Sequence, residues 1–405
     1  MSGLRIAMVG LRGLPATFGG IERHVEEIGS RLAERGHDVT VYCRPNYTPA
    51  DVTSHRGVRL VHTPTLATKH LEAFVHSGLA SLRVLGARMD VVHFHALGPG
   101  LFSPLPRYLS RARVVQTVHG LDDQRAKWGG AASKVLALGG WLSARVPDET
   151  ITVSRTLADQ YAARSGRVCA YIPNGAPEVS PRGPAEIRER FGLRGEDYVL
   201  WVGRIVPEKA PHQLIRAFRE VPTDARLVIV GGSSFTDDYG ARVKELADRD
   251  PRVLLTGFRY GPVLEELYSN AALYVQPSLL EGLPLTLLEA AAYRRPVVAS
   301  DIGPHAEVVS GQGVGHRLVP VGDERALTGA IAEALAHPER ARRGAALLHE
   351  QVRARYDWDQ ATEQTLDVYL RVLARRTVGH RRRTVRVPRQ REPAPQPPPR
   401  SCSFC

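Results

Sequence analysis

The chain has 405 residues, which is too long for one ordinary core and suits two α/β domains. Hydrophobic residues make up 43% and charged residues 24%, the proportions of a globular enzyme, and no run of 18 uninterrupted apolar residues marks a membrane span. The formal charge is +12, but nine Arg and one Glu from Arg375 onward supply +8 of it, so the remaining body, at +4, gives no reason to expect nucleic-acid binding.

The opening MSGLRIAMVG enters a strand directly and leaves no room for a secretory leader, so the expected compartment is the cytoplasm. Five lysines against 49 arginines point to a GC-rich, bacterial source. Cys43 and Cys169 lie in apolar runs and are expected to behave as small buried hydrophobes. Cys402 and Cys405 form a C-x-x-C at the end with no second pair, so neither zinc nor redox chemistry is expected there.

In chain order, LRIAMV, DVTVYC, VRLV, DVVHFH, RVVQTV, ETITVS and VCAYI alternate with helical patterns over residues 1–172. Runs this apolar suit parallel strands covered on both faces. In the first helix Ile21, Val25, Ile28 and Leu32 form the buried stripe, Arg23, Glu26, Glu27 and Arg31 point outward, and Gly36 is the stop. PNGAPEVSPRGP, residues 173–184, reads as a linker. A second alternation follows over 185–355 with YVLWVG, RLVIVGG, RVLLTG, ALYVQP and PVVAS. Residues 356–376 read as one helix with Leu366, Tyr369, Leu370 and Leu373 on its apolar side, and 377–405 as a disordered Arg/Pro-rich tail. Two doubly wound domains joined by a hinge make a cleft faced by strand C-termini, where ligands bind.

Four stretches carry chemistry. In GLRGLPATFGGIERHVEEI, glycines 10, 13, 19 and 20 between strand and helix allow a phosphate close to the backbone. The spacing is not G-x-G-x-x-G, and no acidic residue follows where a nicotinamide site needs one. In RVVQTVHGLDDQRAKWG, His119 ends a strand and faces the cleft, and Asp122, Arg125 and Trp128 follow it as candidates for the part of the cleft where a second substrate would lie. In VGRIVPEKAPHQLIRAF, Arg204 and Lys209 lie between strand and helix, from where two cations can reach one diphosphate.

The fourth stretch is PSLLEGLPLTLLEAAAYRRPVVASDIGP. Glu281 sits in a loop, and Glu289 lies on an apolar helix that starts near Pro284 at its first position. An ionisable group in that setting needs partners, which ribose hydroxyls would supply to Glu289. The plainer alternative makes Glu281 a surface residue and pairs Glu289 with Arg294 or Arg295. His93 and His95 share one strand face, but two imidazoles alone do not make a metal site, and His95 is read as a polar strand end on that same second-substrate side of the cleft. Of two D-x-D triplets, Asp248 to Asp250 ends a helix and Asp359 reads as a helix start, so no metal and no other cofactor is expected.

Taken together over residues 4–374, these motifs resemble the family-4 retaining glycosyltransferases of GT-B fold, with their E-x7-E motif. GLRGLPATFGG is most similar to a rhamnosyltransferase-like branch. The resemblance implies two Rossmann-like domains facing a cleft, with a C-terminal helix crossing back to the first. It implies a catalytic group of His119, Arg204, Lys209 and Glu281. The donor would be held by Gly19, Gly20, Arg204, Lys209, Gly257, Phe258, Glu281, Gly282, Leu283, Pro284, Leu285 and Glu289. It further implies metal-independent transfer of a hexose or deoxyhexose from a nucleotide-diphosphate sugar to a glycan, lipid-linked or small-molecule acceptor in polysaccharide biosynthesis. A nucleotide-sugar epimerase of the same shape is the alternative. The tail adds the option of peripheral contact with an anionic membrane.

Overall fold

The structure, a computed structural model, describes residues 3–17, 19–66, 71–120, 130–233, 237–309, 311, 313 and 315–379. The apolar runs assemble into two sheets. The first contains β1 (Arg5–Val9), β2 (Asp38–Cys43), β3 (Ser54–His55), β4 (Val58–His62), β5 (Val91–His95), β6 (Arg113–Val118), β7 (Glu149–Thr152) and β8 (Ala170–Tyr171). Its order is β3-β4-β2-β1-β5-β6-β7-β8, parallel throughout except for the short β3–β4 pair. The second contains β9 (Tyr198–Val202), β10 (Arg226–Val230), β11 (Val253–Gly257), β12 (Leu273–Gln276), β13 (Val297–Ser300) and β14 (His316–Val319). All its pairs are parallel, in the order β11-β10-β9-β12-β13-β14.

Each sheet reverses its winding beside its first strand, β1 or β9, and both reversal points lie where strand C-termini open toward the other lobe. Between Tyr171 and Glu186 the chain has no helix or strand. The last helix, Trp358–Gly379, returns to the first lobe, where Trp358, Ala361, Val368, Tyr369 and Val372 join its core. Gly175 admits this crossing, because a Cβ there would lie 2.5 Å from Trp358.

Several local expectations change. Val25, Ile28 and Leu32 are fully buried, but so, nearly, are Glu26 and Glu27. Glu26 accepts from Arg23, His55 and the Ala16 amide, and Glu27 from Arg31 and Arg56, so hydrogen bonds and arginine charges take these carboxylates out of water. In the last helix Leu370 is exposed, and the buried stripe runs through Val368, Tyr369 and Val372. Asp357 rather than Asp359 caps that helix, accepting from the Gln360 amide at 2.7 Å, while Asp359 pairs with Arg35. Pro284 is the cap residue of the helix Leu285–Ala292, not its first helical residue. Cys43 is buried, whereas Cys169 is only half-buried. Strands β3 and β14 had no sequence signal, being two and four residues long with polar members.

Candidate functional site

The second lobe supplies its part from the ends of β9 and β12. After β9 the chain passes Arg204, turns through Pro207–Lys209, and enters the helix Pro211–Arg219. The Lys209 stem crosses Gly203, where a Cβ would be 3.1 Å from its Cδ. Its Nζ stands 2.7 Å from Glu281 Oε1 in the loop after β12. The two loops are joined by the Leu279 amide donating to the Glu208 carbonyl at 2.7 Å. Gln276 Nε2 and Ser278 Oγ also donate to Glu281 Oε1, at 3.0 and 2.8 Å. Glu281 is thus not a surface loop residue: its side chain is 12% exposed and receives three donors.

Burial alone would favour its neutral acid. The charge of Lys209, the adjacent His305 and hydrogen bonds from Lys209 and Ser278 outweigh that, and the pKa falls to about 2. His305 itself, buried with Nδ1 2.8 Å from the Ser300 carbonyl, is lowered to about 4 by burial, against the pull of Glu281. Arg204 is half-buried on the Lys209 loop and has interactions of its own.

Glu289 is half-buried on the helix Leu285–Ala292. Burial raises its pKa, opposed by a hydrogen bond from Tyr268 and by the charge of Arg23 on the other lobe. The pairing with Arg295 does not form: that guanidinium donates to the carbonyls of Tyr293 and Ala271. Nor does Arg294 contribute to the electrostatics of Glu289, which come from Tyr268 and Arg23. Leu283 and Pro284 are buried at the start of this helix, and Leu285 meets Gly20, where a Cβ would be 3.4 Å from Leu285 Cδ1. Gly19 is the residue before the first helix, Gly20–Glu34, so the glycine loop faces the second lobe at Leu285. At the end of β11, Gly257 takes φ 71°, and the Phe258 ring lies over Gly232, whose Cβ would be 2.7 Å away. Phe258 and Tyr260, both exposed, stack with centroids 6.2 Å apart.

The first lobe brings an imidazole cluster. His119 follows β6, its ring centroid 4.6 Å from that of His24 and 5.5 Å from that of His95. His95 Nδ1 and His119 Nε2 are 3.2 Å apart. His24, on the first helix, holds Asn174 Oδ1 at 2.7 Å in the segment between the lobes. His93 is held by Tyr369 and Thr117 at 2.6 and 2.7 Å. Burial pushes His24 down to about 4 and His93, His95 and His119 well below the usual imidazole value, so all four are neutral bases.

His95 is therefore fully buried against His93 and His119, not exposed at the strand end. His24 supplies the third imidazole that the sequence had not offered: nitrogens of His24, His95 and His119 all lie within 4.8 Å of one another, a group able to approach a cation. Asp122, Arg125 and Trp128 lie outside the described residues. Sequence reasoning also missed Asn174, Arg23 and His305. For His24 and Arg23 a signal existed, since both fall in the first two turns after Gly19-Gly20.

A family model described as Glycosyltransferase Family 4 matches residues 18–178, and one described as Glycosyl transferases group 1 matches 196–337. A glycogen synthase of Mycobacterium tuberculosis is 30% identical over 91% of this chain and 94% of its own. The chain belongs to the group 1, family 4 glycosyltransferases. A GDP-mannose-dependent phosphatidylinositol monomannoside mannosyltransferase of Mycolicibacterium smegmatis is 30% identical to this glycosyltransferase, over 81% of this chain and 88% of that one. Among solved structures, sucrose-phosphate synthase of Thermosynechococcus elongatus superposes with a TM-score of 0.78 at 23% identity, covering 92% of this chain and 100% of the other. Anabaena HepE in complex with UDP and glucose gives 0.75 at 19%, covering 90% and 99%. These likenesses establish the GT-B fold. They lend the epimerase alternative no support. No helix among the described residues is long and apolar enough to cross a membrane.

Proposed function

We propose that this glycosyltransferase moves a hexose or deoxyhexose from a nucleotide-diphosphate sugar to a glycan, lipid-linked or small-molecule acceptor, with retention at the anomeric carbon and without a metal. The observation that carries the reading is the largely buried ion pair of Lys209 and Glu281, held at 2.7 Å where the ends of β9 and β12 meet the first lobe. A diphosphate entering there would draw Lys209 and Arg204 onto its oxygens and leave Glu281 fixed by Gln276 and Ser278 to accept from a sugar hydroxyl. Glu289, whose raised pKa reflects burial, would gain ribose hydroxyls as partners. Gly19 and Gly20 would give the phosphates room at a helix start, and Gly257 and Phe258 would border the nucleoside.

Retention follows if the acceptor oxygen attacks on the face the leaving group departs from. The bond from the anomeric carbon to the phosphate oxygen breaks, the bond to the acceptor oxygen forms, and the acceptor proton passes to the departing phosphate. His119, neutral and with its main chain beside Gly282, would bond the donor sugar rather than carry charge. Transfer requires water to be excluded, which the close approach of the lobes at Gly282 and Gly20 favours. The rhamnosyltransferase-like glycine loop favours a deoxyhexose, and the lipid acceptor in the mycolicibacterial relative's name favours a lipid-linked substrate. Peripheral contact with an anionic membrane belongs to the same reading.

The test is a thermal-shift screen of nucleotide sugars followed by transfer assays with the donor that binds. Lys209→Ala and Glu281→Ala should each abolish transfer while the fold remains intact. Full activity in either variant refutes the assignment.

A further inference from the structure

The helix Glu72–Gly86 is amphipathic in the inverted sense. Its inward face is largely polar: Glu72, His76, Ser77 and Ser81 are buried, with Glu72 held by Arg44 and Tyr47. Its outward face is apolar: Leu71, Phe74 and Leu82, spaced to share one side of a helix, are 48%, 46% and 55% exposed. Beside them an open groove of about 260 Å³ is lined only by apolar residues of this helix and by Phe102 and Leu105. Phe102 stacks edge-on against Phe74 at 4.9 Å. Beyond it Tyr108 and Leu109 are 71% and 67% exposed. A helix normally turns its apolar side to the core, and an exposed apolar face of this extent marks a binding surface.

Charge decides what covers it. Arg83 on this helix, Arg88 just after it and Arg111 between Leu109 and β6 are exposed, and Arg83 also donates to the His62 carbonyl. The acids of residues 71–113 are Glu72 and Asp90, and both are occupied, by Arg44 and by Arg5. An apolar stripe with an aromatic border and a cationic margin matches an anionic bilayer surface. It matches a second copy of this chain poorly, because pairing the face with itself would bring the same exposed arginines of both copies together. Location agrees: the helix begins at the cleft end of the sheet, as helices following parallel strands do, and Phe102 follows β5, whose last residue is His95.

We propose that this face, centred on Phe74 and Leu82, inserts into the headgroup region of an anionic membrane and presents the cleft to acceptors carried there. The inference rests on the lipid-linked acceptor class proposed above. It predicts that the groove takes hydrocarbon and that the surrounding arginines take lipid phosphate.

The experiment is co-sedimentation of the full chain with vesicles of equal parts phosphatidylglycerol and phosphatidylcholine, and with phosphatidylcholine alone, with variants and wild type compared at the same salt so that the contribution of the Arg-rich tail, common to both, cancels. The wild type should favour the anionic vesicles. Phe74→Ser combined with Leu82→Ser should weaken partitioning at least tenfold while UDP or GDP raises its melting temperature as in the wild type. Should the double variant fail to fold, Leu82→Gln alone should still weaken it about threefold. Equal partitioning of the folded variants and the wild type overturns the proposal. So does a wild type that ignores vesicles and forms a concentration-dependent dimer lost in the double variant, since a second copy would then cover the face. If neither nucleotide binds yet vesicle partitioning behaves as stated, the donor reading fails and the membrane surface stands.

Discussion

Gly282 of the second lobe lies so close to the main chain of His119 in the first that a methyl group on it would overlap the His119 carbonyl oxygen. The contact is backbone on backbone, so no side chain can swing aside to make room. Gly282→Ala must then hold the lobes apart by the width of a methyl. A displacement of about 1 Å between reacting groups can cost about a hundredfold in rate. Transfer by Gly282→Ala should fall by about that factor, with the melting temperature nearly unchanged and nucleotide binding retained by the second lobe. Activity within threefold of the wild type would show that the close approach has no part in turnover.

A second junction joins the lobes through a carboxylate. Glu307, on the short helix Gly303–Val308, accepts from the Arg155 and Thr156 amides at 2.8 and 2.7 Å and from Thr156 Oγ1 at 2.6 Å. It thereby satisfies free amides at the start of the helix Arg155–Ser165, which Ser154 caps only in part. Glu307→Ala removes all three acceptors and should cost about 1–2 kcal/mol in denaturant unfolding. Glu307→Gln retains one carbonyl oxygen and should cost less. A loss no greater for Ala than for Gln would mean that solvent satisfies these amides equally well.

The strands of both lobes were legible because parallel strands buried on two faces read as unbroken apolar runs, as in RLVIV and RIAMV. Glu281 and Lys209 were legible as a pair of loops at strand ends, but their direct contact was not, since 72 residues separate them. His24 was hidden for a different reason. On a helix wheel it reads as a polar residue of the early turns, and only the folded chain sets the start of that helix beside the last residue of β5, His95, and the residue after β6, His119. Glu26 and Glu27 misled in the opposite direction, because helical periodicity sorts residues by hydropathy and cannot see His55 or Arg56 arriving from β3 and its turn.

The Lys209–Glu281 pair makes a prediction in acid. The folded carboxyl titrates at about 2, below its ordinary value of 4.5, so its stabilisation is present above pH 4.5 and is lost as pH falls toward 2. The shift corresponds to roughly 3 kcal/mol, an order-of-magnitude figure for a pair that is mostly buried. Lys209→Met should raise the Glu281 pKa, because burial then acts with less opposition. Carbon-13 NMR of the Glu281 carboxyl gives both values directly. An unchanged pKa in Lys209→Met would assign the depression to His305 and Ser278 instead.

The buried imidazoles set a second, higher pH limit. His24, His76 and His305 are lowered to about 4, and His93, His95 and His119 well below the ordinary 6.5, in each case chiefly by burial. Below pH 6.5 the unfolded chain binds protons that the folded chain refuses, so stability falls as pH falls, by about 1.4 kcal/mol per pH unit for each group. The melting temperature should therefore hold above pH 7 and drop steeply between pH 6.5 and 4, well before Glu281 titrates. His305→Gln is the informative variant, since it removes one such proton without disturbing the cluster around His119. Its profile of stability against pH should be shallower by one group's slope in that range. A profile parallel to the wild type's would mean that His305 is protonated in the folded protein, and that its charge, not only that of Lys209, holds the Glu281 carboxylate.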